Sequence, residues 1–91
     1  MTSRRMLKKK INLVVNNIIE ECYNVQISDK EKDVETNKII DETVLFFDDL
    51  LTRVHDAKNI SSDGELKKHY DSINADLEKT SLFLINKLNK V

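Results

Sequence analysis

Apolar residues recur along this chain at steps of three and four, in three separate runs. Leu7, Ile11, Val14, Val15, Ile18 and Cys22 trace one face of a first helix, predicted over residues 4–24. Thr2 or Ser3 stands where an N-cap belongs. Asn24 suits a stop, because asparagine tolerates the left-handed backbone that ends many helices. Ile40, Val44, Phe47, Leu51 and Val54 mark a second helix, predicted over residues 29–58. Ser28 with Glu31 fits a capping box at its start, and Asp29, Glu31 and Asp33 suit the positive end of a helix dipole. Its first turns, up to Lys38, are mostly charged and are expected to project beyond the core or fray. A second capping box, Ser62 with Glu65, opens a third helix, predicted over residues 63–90. Leu66, Tyr70, Ile73, Leu77, Leu84 and Leu88 form its stripe, with Thr80 and Ser81 as a polar dent.

No alternating run outside these segments offers a strand. The linkers are short, which makes consecutive helices antiparallel neighbours. The expected fold is all-α: one domain over residues 1–91, an up-down-up three-helix bundle. Composition agrees. The 91 residues include no proline and one glycine, Gly64, so little interrupts long helices. At 40% hydrophobic and 34% charged, the chain has the balance of a soluble domain.

Each helix carries apolar residues beyond its stripe. Leu13 and Ile19 are extra on the first, and Leu45, Phe46 and Leu50 on the second. The third is apolar almost all round at Leu82, Phe83, Leu84 and Ile85. A central helix that touches two neighbours can bury Leu50 and Phe46 itself. Exposing several such side chains together favours association, since burying one is worth roughly 1.5–3 kcal/mol. Leu45, Phe46, Leu82, Phe83 and Ile85 are therefore the candidate self-association residues, and a twofold homodimer is the simplest assembly. A partner protein is the other occupant such a surface fits.

Charge alters this picture at one end. Arg4, Arg5, Lys8, Lys9 and Lys10 fall within the first ten residues, which hold no acid, although the net charge is −1. This cluster is the candidate contact for nucleic acid or another anion. The competing expectation is internal matching by Asp48, Asp49, Asp56, Asp63 and Glu65. No aromatic residue interleaves with the basic ones, no tight helix-turn-helix is present, and the rest of the chain is acidic. Membrane contact is not expected, since Met6, Leu7 and Ile11 also begin the core stripe.

Little chemistry is expected. His55 and His69 flank one short linker, but a zinc or iron site there would need further ligands such as Asp56 or Asp63; both are expected to be solvated. Cys22 lies on the apolar stripe, and Glu20 and Glu21 before it oppose a thiolate. Adjacent carboxylate pairs diverge on a helix, and no glycine-rich phosphate loop exists. The expectation is a non-enzyme without metal or cofactor. A lone cysteine, no signal-peptide pattern and no membrane span place it in the cytoplasm.

The opening Arg4-Arg5-x-Leu7-Lys8-Lys9-x-Ile11-Asn12, followed by Glu21-Cys22, resembles a group of short all-helical bacterial proteins with no assigned activity. The resemblance implies a compact bacterial cytoplasmic helical protein, with no catalytic or ligand residues to carry over.

Overall fold

The computed structural model describes residues 4–91. It holds three α-helices and, among the described residues, no strand: α1 Arg4–Ser28, α2 Asp33–Asp56 and α3 Asp63–Asn89. Short 3-10 turns at Lys30–Lys32 and Ala57–Asn59 lie in the connections. Every helix touches both others. The molecule is a rod of 50 × 17 × 17 Å. Its longest helix, α3, spans about 40 Å, so the helices are offset along the rod. The cap expected at Thr2 or Ser3 lies outside the described residues.

α1 continues past Asn24 to Ser28. Asn24 keeps helical backbone, and no described residue has positive φ. Tertiary contacts explain the extension. Val25 packs on the core, and Gln26 Nε2 donates to Thr36 Oγ1 at 2.8 Å and to Asn37 Oδ1 at 2.7 Å. The Ser28–Glu31 capping box does not form. Ser28 ends α1, its hydroxyl donating back to the Asn24 carbonyl at 3.0 Å. Asp29 caps instead: its backbone is extended and its carboxylate accepts from the Glu31 N–H at 3.0 Å. A 3-10 turn follows, so α2 starts at Asp33 rather than 29. It gives way to another such turn after Asp56. At the start of α3, Ser62 Oγ accepts from the Glu65 N–H at 3.5 Å, a long bond that realises half of the expected box.

The buried stripe of α2 is Thr36, Ile39, Thr43, Leu50 and Val54. Ile40, Phe47 and Leu51 are half-buried, and Val44 is 43% exposed. The helix is thus turned by roughly 70°, less than one residue's step, from the phase that its apolar residues predict. Two threonines make this possible. Thr43 Oγ1 donates to the Ile39 carbonyl at 2.7 Å, and Thr36 Oγ1 to the Lys32 carbonyl at 2.8 Å. A hydroxyl satisfied by its own helix can be buried without an orphaned donor. Thr36 is fully buried, so the first turns of α2 neither project nor fray as expected.

On α3 the predicted stripe is buried from Tyr70 onward, with Leu66 half-buried against it. The interior divides in two. Leu7, Ile11, Val15, Leu50, Val54, Ala57, Tyr70, Ile73 and Leu77 form one cluster. Ile18, Cys22, Ile39, Leu84 and Leu88 form the other. Val14 and Phe46 pack against both. The gap on α3 between Leu77 and Leu84 is the polar dent of Thr80 and Ser81.

Candidate self-association surface

Leu45, Leu82, Phe83 and Ile85 are exposed by 70%, 60%, 56% and 42%. Phe46 differs. It is half-buried and joins the two core clusters, so its ring serves the interior rather than the surface.

The four exposed residues do not make one patch. Ile85 lines a groove of about 380 Å³ between α1 and α3. Val14, Ile18 and Leu88 give it apolar walls, and Asn17, Glu21, Ser81 and Asn89 supply its polar lining. Leu82 lies one turn before Ile85 and about 60° from it around the helix, so it borders the same side. Phe83 lies roughly 160° from Ile85, on the side of α3 that meets α2. There Lys87 Nζ sits 5.1 Å from the ring centroid and also holds Glu42 at 2.8 and 3.0 Å. That pair ties α2 to α3, as do Arg53 Nη1 to Asp76 at 2.6 Å and Arg53 Nη2 to Ser72 at 2.9 Å. Such exposed ion pairs contribute about 0–1 kcal/mol each. Phe83 is thus partly covered by a cation on the α2 side, whereas Ile85 lines an apolar-walled groove on the α1 side and Leu82 stands exposed one turn before it.

α1 carries a further exposed leucine, on the side turned away from its buried stripe. Leu13 is 62% exposed. The sequence marks it as an extra apolar residue, but nothing in a single helical stripe ties it to Leu82, 69 positions later.

The five basic residues spread around α1 rather than forming one face. Arg4, Arg5, Lys9 and Lys10 are exposed and Lys8 is half-buried. Lys10 is engaged: its Nζ donates to Asn74 Oδ1 at 2.9 Å and reaches Glu78 at 3.5 Å. Asp48, Asp49, Asp56, Asp63 and Glu65, the acids expected to match the cluster, form no ion pair with it among the described residues.

His69 and His55 are not brought together as ligands. The His69 ring lies between helices, its Nε2 2.6 Å from the Arg53 carbonyl, which makes that nitrogen a donor. His55 is exposed. Among the described residues, no group of three or more His, Cys, Asp or Glu side chains is placed to hold a metal. Cys22 is fully buried, and burial raises its thiol above the ordinary value, with the Glu21 carboxylate adding to the shift. Among the described residues no helix is long and apolar enough to cross a membrane.

No family model, curated protein or solved structure matches the chain.

Proposed function

We propose that the chain is a non-enzymatic assembly module, an up-down-up bundle that pairs with a second copy through the side shared by α1 and α3. The observation that carries this reading is the exposure of Leu82 and Ile85 beside an apolar-walled groove, with Leu13 exposed on the neighbouring helix. The direction of the helices draws on the cross-links. Glu42 meets Lys87 while Arg53 meets Asp76, so positions rise along α2 as they fall along α3. Gln26 meets Thr36 and Asn37 directly across the first connection, as a reversal of direction requires.

Covering the exposed part of each of these three side chains yields about 1–2 kcal/mol. A twofold pair doubles that gain, while association costs on the order of 4–15 kcal/mol. The balance favours a weak dimer whose population depends on concentration. Light scattering after size-exclusion chromatography, over a wide concentration range, tests this. The wild type should approach twice the monomer mass. Changing Leu82 and Ile85 to glutamine should leave helix content intact and hold the protein at monomer mass. A wild-type monomer at every concentration sinks the reading.

One observation favours a second reading. Arg4, Arg5 and Lys9 are exposed and, among the described residues, form no ion pair. That leaves three cations for a polyanion such as DNA or RNA. Binding that weakens steeply with salt and disappears when the three are neutralised would support it; no binding at low salt would dismiss it.

A further inference from the structure

Lys9, Leu13, Asn16 and Glu20 are all exposed on α1. They follow at steps of four, three and four, which keeps them within about 60° of one another around the helix. The buried residues of α1, Leu7, Ile11, Val15, Ile18 and Cys22, take the opposite side. This outward strip has a cation at one end, a leucine near the middle and a carboxylate at the other end. Among the described residues neither Lys9 nor Glu20 makes an ion pair; the contact with α3 is made by Lys10. The asymmetry belongs to the helix as a whole. From Arg4 to Ser28, α1 has no acid before Glu20 and no basic residue after Lys10.

A strip of this kind is complementary to itself in one direction only. Parallel pairing would set Lys9 against Lys9 and Glu20 against Glu20, and like charges in contact repel. Antiparallel pairing about a twofold axis between residues 14 and 15 sets Lys9 of each copy level with Glu20 of the other. It also brings the two Leu13 side chains within about 4.5 Å of the same height along the helices. We infer that the second copy docks α1 against α1 in antiparallel register, with Leu13 at the centre and two Lys9–Glu20 pairs closing the ends. This inference rests on the self-association proposed above and specifies its orientation.

Charge reversal tests it on the full chain. Lys9→Glu makes both ends of the strip acidic, and Glu20→Lys makes both basic. Each variant alone should dimerise about tenfold or more weakly than wild type at low salt, as two attractions become two repulsions. An equal mixture of the two should form a heterodimer, and the double variant in one chain should recover near wild-type affinity. Both residue changes lie on an exposed helix face, and circular dichroism verifies that each variant stays folded. Single variants that dimerise like wild type would overturn the antiparallel seam. So would a double variant no better than the singles. In both cases a wild-type dimer that Leu82 and Ile85 substitutions dissociate leaves the assembly reading standing. A wild type that never dimerises removes both.

Discussion

Thr43→Asp and Val44→Asp are adjacent changes with opposite expected outcomes. Both introduce the same charge near the middle of α2, within one residue of the same distance from its ends. Threonine, valine and aspartate also have similar intrinsic helix propensity, so the backbone term nearly cancels. Surroundings make the difference. Thr43 has no exposure, and its hydroxyl is spent on the Ile39 carbonyl at 2.7 Å. A carboxylate there loses its water and faces that carbonyl, an acceptor that repels it. An unpaired charge in such a place costs about 3–5 kcal/mol. A domain of this length has about 5–14 kcal/mol of stability in all. Thr43→Asp should therefore lower the Tm by about 12 °C or more. Val44, 43% exposed, tolerates aspartate with a change within about 0.5 kcal/mol, or less than about 4 °C. Thermal melts followed by far-ultraviolet circular dichroism, at one protein concentration, compare the two. Equal losses, or a larger loss for Val44→Asp, would refute the burial assigned to α2 and restore the phase its apolar residues suggest.

Cys22 offers a test in pH. Burial raises its thiol above the ordinary 9.0, so the folded state holds that proton more tightly than the unfolded chain does. The resulting stabilisation is complete below about pH 9 and declines as pH rises through the folded value. In urea titrations the advantage of wild type over Cys22→Ala should shrink above pH 9; an advantage that grows there contradicts the burial. Gln26→Ala removes donations to Thr36 and Asn37 and should cost about 1–2 kcal/mol in the same assay. Gln26→Glu keeps the size but loses the donor, and should cost as much. Unchanged midpoints in both variants would show that these bonds do not tie α1 to α2.

How far the fold could be read from the sequence depended on what each residue type reveals. The α3 stripe lies at helical spacing in unambiguous apolar residues, and it is buried from Tyr70 onward, with Leu66 half-buried. On α2 the apolar spacing points to the wrong face, because Thr36 and Thr43 count as polar in any apolar pattern. Their burial depends on a back-bond to the preceding turn that composition does not display. The end of α1 was misplaced for a related reason: Asn24 and Ser28 carry strong local signals, but Gln26 finds partners across the connection and tertiary bonding prevails. Boundaries of this kind are set by contacts between segments. Among the surface residues, Leu82 and Ile85 were visible as surplus on a helix apolar all round. That Phe46 turns inward while Leu13 turns outward depends on how each helix is rotated about its own axis. A single sequence gives only the spacing, not that rotation.

The division of the interior has a mechanical consequence. The two compartments lie in series along a narrow rod, and Val14 and Phe46 lean on both. Loosening at the end that holds the connection between α1 and α2 must pass through this joint before it disturbs the other end. The junction therefore sets how far the two ends breathe together. Enlarging or trimming Phe46 would alter their synchrony as well as the strength of either half.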